Sequence, residues 1–258
     1  MDYKEITYLL ADGLAIVTLN RPEKMNALTS QMRAEITHAL RRAGGEARAV
    51  VLTGAGTAFC SGQDLSDASN GNDLDLERTL RDEYTPMLEA LYDCPVPTIS
   101  AVNGPVAGAG ANLALAADVV IATESAYFMQ AFARIGLMPD AGGTWFLPRQ
   151  MGMAKAMGAA LFADKITAKQ ASDWGMIWEA VPDADFADKW RARATYLAKG
   201  PTKAFGAIKQ SIRASSGNTL PEQLSVEAHL QGECGKSRDF LEGVTAFMEK
   251  RPAKFEGR

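Results

Sequence analysis

An α/β core carrying a helical extension is the fold class that the sequence predicts, on three observations. Short apolar, β-forming runs alternate with helix-period segments through the first two thirds of the chain. Beyond about residue 152 the helical pattern stands alone. Between them lies a stretch, residues 97–122, that carries no charge until Asp118 and has to be buried. Alternation of that kind builds a sheet covered by helices, and a run of helices after it belongs to an appendage. The 258 residues divide accordingly into a core at residues 1–198 and a helical region at residues 199–258.

Residues 3–10 and 14–19 are β-rich runs joined by Ala11-Asp12-Gly13, which predicts a hairpin. Residues 20–28 are irregular. Thr29 or Ser30 caps a helix running to about Arg42, with Met32, Ile36, Ala39 and Leu40 on its apolar face and Gly44-Gly45 as its stop. Residues 49–52 form a short buried strand that leads into residues 53–65. Residues 67–75, rich in Asp, Asn, Ser and Gly, are predicted to be a mobile loop, and residues 76–92 an amphipathic helix.

The uncharged stretch is not a membrane span. Pro97, Asn103, Gly104, Pro105, Gly108 and Gly110 interrupt it, whereas a spanning helix needs about 20 predominantly apolar residues bonded to one another. It divides into a buried strand at 98–102, a Gly/Pro turn at 103–108, a small-residue helix at about 109–116 and a strand at 119–122. A buried helix whose first N–H groups emerge from a glycine turn is a ready site for negative charge.

A short strand at 126–128 follows, then residues 134–148. Helices are predicted at 153–162, 168–174, 184–199, 202–215, 221–234 and 237–250. The last has apolar residues on more than one side (Phe240, Leu241, Val244, Phe247, Met248), which points to a buried subunit interface or to packing within the chain. There is no internal repeat.

Composition narrows the function. A net charge of −4 argues against a nucleic-acid binder, whose footprint is a basic face. Cys60, Cys94 and Cys234 are too few and too far apart for a disulfide framework or a zinc site, and His38 and His229 cannot build a histidine metal centre. The sequence starts Met-Asp-Tyr-Lys-Glu with no basic-then-apolar pattern, so a reducing cytoplasm is expected. Gly54-Ala-Gly56 and Gly108-Ala-Gly110 each follow a strand but lack the third glycine of a dinucleotide fingerprint. No phosphate loop and no nucleophile-elbow serine is present. What remains is two glycine turns, each able to present a backbone N–H, at Gln63 and at Ala109. Two convergent donors suit a developing oxyanion. On residue type alone, a pair of ordinary tight turns accounts for the same glycines.

Five ordered blocks sharpen this: Leu19-Asn-Arg-Pro-Glu-Lys-Met-Asn-Ala-Leu28, Ala58-Phe-Cys-Ser-Gly-Gln-Asp-Leu65, Ala101-Val-Asn-Gly-Pro-Val-Ala-Gly-Ala-Gly110, Asp118-Val-Val-Ile-Ala122 and Gly136-Leu-Met-Pro-Asp-Ala-Gly-Gly-Thr144. With them the chain resembles the enoyl-CoA hydratase/isomerase (crotonase) superfamily along essentially its full length. The resemblance implies a crotonase-like repeated ββα spiral core and a C-terminal helical trimerisation region. It implies an acyl-CoA substrate with no separate cofactor, and a homotrimer or dimer of trimers without nucleic-acid or membrane partners. It also implies that the Gln63 and Ala109 N–H groups, the latter after Gly108, form the oxyanion hole for the thioester carbonyl. Implied CoA contacts are Lys24, the backbone at Ala58 and at Gln63, Asp64 and Leu65, and Phe247 and Lys250 from a neighbouring subunit. The implied acyl site includes Asn112, Phe132 and Trp145, with Phe146 beside them as an apolar wall.

Departures from the hydratase pattern narrow the chemistry. The two hydratase glutamates correspond to Asn112 and Phe132, and adding water needs one group for the water and one for the α-carbon proton. Asp140 stands where isomerases of the family carry an aspartate; its alternative is a plain helix N-cap. Asp64 is expected to fix its loop as an acceptor, and Cys60 to be a packing residue. Phe59-Cys-Ser-Gly-Gln-Asp-Leu65, Gly108-Ala-Gly-Ala-Asn-Leu-Ala-Leu115, the 136–149 segment and Trp174-Gly-Met-Ile-Trp178 are similar to the 1,2-epoxyphenylacetyl-CoA isomerases of phenylacetate catabolism. That similarity implies conversion of a ring epoxide to oxepin-CoA, together with double-bond shifts in unsaturated acyl-CoAs. The other readings are an enoyl-CoA hydratase and a non-catalytic acyl-CoA- or RNA-binding member.

Overall fold

A computed structural model describes residues 2–65 and 75–258; the loop expected to be mobile lies outside them except for Asp75. The hairpin forms as β1 (Ile6–Ala11) and β2 (Leu14–Leu19), with Asp12 and Gly13 both at positive φ in its two-residue turn. β2 then starts a parallel run through β3 (Ala49–Gly54), β4 (Thr98–Val102), β6 (Val119–Thr123) and β9 (Glu179–Val181). All five residues of β4 are buried, as expected of a parallel strand with both faces covered. A second sheet is small, with β5 (Val106–Ala107) parallel to β7 (Tyr127–Met129) and β7 antiparallel to β8 (Ile166–Thr167). Isolated bridges Leu28–Gln63 and Cys60–Val106 extend its line toward the start of the chain.

Four strands of the large sheet, β2, β3, β4 and β6, are thus followed by a short strand or isolated bridge and then by a helix. β2 leads through Leu28 to α1 (Ser30–Glu46), and β3 leads through residues 60–63 to α2 (Leu76–Thr79) and α3 (Thr85–Tyr92). β4 leads through β5 to α4 (Ala109–Leu115), and β6 leads through β7 to α5 (Gly143–Met151), α6 (Met153–Phe162) and α7 (Ala168–Asp173). This is the crotonase spiral. Its main core lies between the large sheet and α1, α3 and α4, filled by Met32, Ile36, Leu40, Met87, Leu91 and Leu113 among others. On the other face α8 (Phe186–Lys199) presses Phe186, Trp190 and Ala194 onto Val51, Ile99 and Ile121.

Several expectations need correction. Gly44-Gly45 does not stop α1, which continues to Glu46. The glycine at 44 serves a close approach: a Cβ there would lie 2.9 Å from Pro95 Cδ. The 103–108 turn contains the two residues of β5, and the helical last third contains β8 and β9. These strands are too short to carry a period-2 signal. Residues 143–151 form α5 with Pro148 inside it, where proline argues against a helix. The 76–92 helix is continuous but passes through a π turn at Leu80–Tyr84, where the Thr85 N–H donates to Leu80 O. Pro86, which has no N–H to give, follows directly.

The last helices, α9 (Thr202–Ser215), α10 (Leu220–Gly235) and α11 (Arg238–Met248), are joined to the core by charge. Asp118, at the head of β6, accepts from Lys209 Nζ at 2.8 Å and Arg213 Nη2 at 2.7 Å. The same carboxylate takes the Thr98 N–H and hydroxyl at 2.8 and 2.9 Å. Arg213 also donates to Tyr92 O and lies over the Tyr92 ring. Large apolar side chains nonetheless remain exposed here, including Ile212, Leu224, Leu241, Val244, Phe247 and Met248.

Candidate active site

Backbone hydrogen-bond accounting locates two free donors side by side. In the 60–64 segment, Cys60 O accepts Ala107 N at 3.0 Å, Ser61 N donates to Met25 O at 3.0 Å, Gly62 O accepts Leu28 N at 2.8 Å and Asp64 N donates to Leu28 O at 3.0 Å. The Gln63 N–H has no acceptor among the described residues. In the adjacent turn of the spiral, Ala107 N is taken, Gly108 N donates to Met129 O at 2.9 Å, and the Ala111 and Asn112 N–H groups both reach Gly108 O. The Ala109 N–H is left open at the first residue of α4, the positive end of that helix.

The two segments run parallel through the Cys60–Val106 bridge, so Gln63 and Ala109 leave it at the same end. Gly62 and Gly108 both have positive φ, at 100° and 53°, and a Cβ on Gly62 would press to 3.0 Å on Ala107 O, with Ala109 N next at 3.6 Å. Glycine is therefore required at the point where the two donors approach each other.

Asp140 stands above α4. Asn112, one turn along from Ala109, donates from Nδ2 to the Asp140 carbonyl at 2.7 Å, and Gly143 N donates to the same oxygen at 2.8 Å. The capping role is excluded: α5 starts from Gly142, in the left-handed region, with no side-chain cap. The Asp140 carboxyl has one buried oxygen, Oδ1, with no hydrogen-bond partner, and burial pushes its pKa up from 3.8 to about 6. Among the described residues no group of three or more His, Cys, Asp or Glu side chains is arranged to hold a metal ion.

Around it, Phe132 and Phe146 are buried and Trp145 is half-exposed. Phe132 Cζ comes within 3.8 Å of the place a Cβ on Gly108 would take. Trp145 meets Phe146 and Tyr92 edge-on at 5.1 and 5.5 Å between ring centres, and Arg149 covers its outer face. Phe132 thus packs on the Gly108 turn, while Phe146 packs on Gly142, two residues after Asp140, with Trp145 against it.

Other expected site residues divide. The Asp64 carboxylate is held by Arg21 Nη1 at 2.8 Å and its N–H is spent on Leu28, so the residue fixes the loop. Ala58 is buried and its carbonyl accepts Asn26 Nδ2 at 2.9 Å. Lys24 and Leu65 are exposed near the rim; Ser61 donates to the Lys24 carbonyl. Asn112 is wholly buried, donates from Nδ2 to Asp140 O and accepts from Gln130 at Oδ1. Phe247 is exposed on α11, against a groove of about 900 Å³ that shares no residue with the 60–64 segment, and Lys250 follows that helix. One chain does not bring these two to the donor pair. Cys60 is buried, with its thiol pushed up to about 12, which suits packing rather than attack.

Asn26 and Gln130 were not among the expected site residues. Asn26, at positive φ, ties Ala55 O and Ala58 O to Arg21 N, and so holds the chain leading into the 60–63 segment. Its place inside the first block was the available signal. Gln130, an uncharged polar residue directly after an apolar strand, gave only a weak one.

Comparison with known proteins gives the chain's relatives. Residues 10–258 match the family model described as enoyl-CoA hydratase/isomerase. A protein of Rhodobacter capsulatus named probable enoyl-CoA hydratase is 64% identical over 258 residues, covering 100% of both chains. The 1,2-epoxyphenylacetyl-CoA isomerase of Escherichia coli is 45% identical over 251 residues, 95% of this chain and 96% of that one. Among solved structures, an enoyl-CoA hydratase from Bacillus anthracis superposes with a TM-score of 0.94 at 29% identity, covering 99% of this chain and 100% of the other.

Proposed function

The chain belongs to the enoyl-CoA hydratase/isomerase family, and from that premise we propose that it is an acyl-CoA isomerase that moves one proton with a single carboxyl. The observation that carries this reading is the Asp140 carboxyl: partly buried, unpartnered at Oδ1, on a residue whose main-chain carbonyl is bonded to Asn112, one helical turn along α4 from the open Ala109 N–H. The thioester oxygen accepts from the Gln63 and Ala109 N–H groups, which stabilise the enolate formed when a proton leaves the α-carbon. Asp140 takes that proton and returns it to another carbon, a role suited to a carboxyl whose pKa is near 6.

A hydratase reading has the name of the Rhodobacter capsulatus relative in its favour. Against it stand Asn112 and Phe132, since hydration calls for a second group to activate water. We take the ring epoxide of phenylacetyl-CoA as the preferred substrate, with unsaturated acyl-CoAs also isomerised. Its support is the pair of buried rings at the two turns, Phe132 beside Gly108 and Phe146 beside Gly142, and the 45% identity to the Escherichia coli isomerase. We further propose a cytoplasmic homotrimer, or a dimer of trimers, with residues 199–258 as the trimerisation region. Phe247 and Lys250 would then reach the CoA of a neighbouring protomer, and Lys24 that of its own.

Turnover of the ring-epoxide thioester and of an unsaturated acyl-CoA, measured for the parent and for Asp140→Asn, tests the proposal. Isomerisation falls by about 10²- to 10⁴-fold in the variant while a saturated acyl-CoA still binds. Full activity in Asp140→Asn would remove the carboxyl from the mechanism.

A further inference from the structure

We infer that Gln130 and Asn112 are positioning residues, a relay of two buried side-chain amides that clamps the main-chain carbonyl of Asp140 and so aims its carboxyl into the site. This rests on the reading of Asp140 as acid and base. Gln130 Nε2 donates to Asn112 Oδ1 at 2.9 Å, Asn112 Nδ2 donates to Asp140 O at 2.7 Å, and both side chains are wholly buried.

The sense of the relay follows from chemistry. A main-chain carbonyl can only accept, so Asn112 has to present its NH₂ to it. Its oxygen then faces Gln130, which has to present NH₂ in turn. With Gly143 N on the same carbonyl, that oxygen holds two donors.

The turn needs outside support. Ala141 sits in the left-handed region at φ 48°, followed by Gly142 at φ 82°. A non-glycine residue there is strained and persists only where its surroundings hold it. The surroundings here are the amide pair: a Cβ on Gly143 would come within 2.5 Å of Asn112 Nδ2, so the turn lies directly on Asn112.

The relay also links the two halves of the site. Gln130 directly follows β7, whose last residue, Met129, pairs with Ala107 and accepts the Gly108 N–H. The strand end that sets the Ala109 donor therefore also sets Asp140. Of the titratable groups around the carboxyl, Tyr84 interacts with it electrostatically from the π turn, with Arg33 behind the phenol ring.

Gln130 Oε1 has no hydrogen-bond donor among the described residues. Gln130→Met therefore removes one hydrogen bond and one unmatched acceptor at similar volume, and the fold should tolerate it. The experiment compares parent, Gln130→Met, Asn112→Ala and Asp140→Asn for Tm, saturated acyl-CoA binding, and isomerisation of an unsaturated acyl-CoA between about pH 5 and pH 9. For Gln130→Met we expect binding retained, Tm within a few degrees, and kcat lower by roughly 10- to 100-fold. The rising limb of its kcat/KM profile moves to lower pH, because a looser turn admits water to the carboxyl. Asn112→Ala gives the same displacement, and reads the relay independently should Gln130→Met fold poorly. An unmoved limb in both variants, or a rate loss that follows Tm alone, overturns the inference when Asp140→Asn is inert. An active Asp140→Asn overturns the proposed function itself.

Discussion

Asp140 is a carboxyl placed where ionisation is unfavourable, and the cost appears in stability as well as in rate. Its folded pKa, about 6, lies above the ordinary 3.8, so the folded state binds the proton more tightly than the unfolded chain does. The group therefore destabilises the fold above about pH 6, and the deficit is relieved as pH falls from 6 toward 3.8. Because the carboxyl is only partly buried, the full shift overstates the effect; about 1–2 kcal/mol is expected at neutral pH. Asp140→Asn should thus raise Tm by a few degrees at pH 7–8, with the gain gone below about pH 4. Calorimetry across that range checks it; a Tm gain independent of pH would contradict the linkage. A slower but more stable variant is what a strained catalytic group predicts.

At the scale of elements, the N-terminus of α4 and the 60–63 segment form one unit, and Gly110 sets their spacing. A Cβ at position 110 would fall 2.6 Å from Cys60 Sγ and 2.7 Å from Cys60 O. The backbone oxygen cannot swing aside, so Gly110→Ala forces the helix and the strand apart. The Gln63 and Ala109 donors separate with them. Loss of one oxyanion donor costs about 10²- to 10³-fold in kcat, and a drop of that size is expected for Gly110→Ala. A variant with parental kcat would show that the donor pair is not rate-determining.

For the molecule as a whole, Asp118 decides how the helical region is held. It is one carboxylate facing two cations, Lys209 and Arg213, with Thr98 filling its remaining positions. Asp118→Asn leaves both cations in a half-buried pocket without their counter-charge. We expect a loss of about 3 kcal/mol, persisting at high salt because the group is shielded from screening. Chemical denaturation in low and high salt measures it. Beyond this tether, α9–α11 expose more apolar surface than a monomer keeps without purpose. Sedimentation should give about three or six times the 27.6 kDa chain mass, and Val244→Asp should lower it. A parent sedimenting as a monomer would refute the trimer.

Much of this was legible along the chain. Hydrophobic periodicity and glycine placement located β1–β4, β6, α1, α4 and the long helices, since those signals are local. The ordered blocks pointed to Gln63, Ala109 and Asp140. Short elements escaped: β5, β8 and β9 have two or three residues each, and their pairing partners lie far away in sequence. Gly44 misdirected the reading, because close packing against Pro95 keeps a glycine inside α1. Sequence by itself determined the alternation of strands and helices and the two glycine turns, because those are local signals. The spiral, the Gln63 and Ala109 donors and the Asp140 acid were legible only through the resemblance that the ordered blocks carry. Only the tertiary structure decided that Asp140 caps nothing and that Asn112, itself bonded to Gln130, holds its carbonyl. Those facts depend on which buried polar groups meet across turns of the spiral, and on the water that burial excludes.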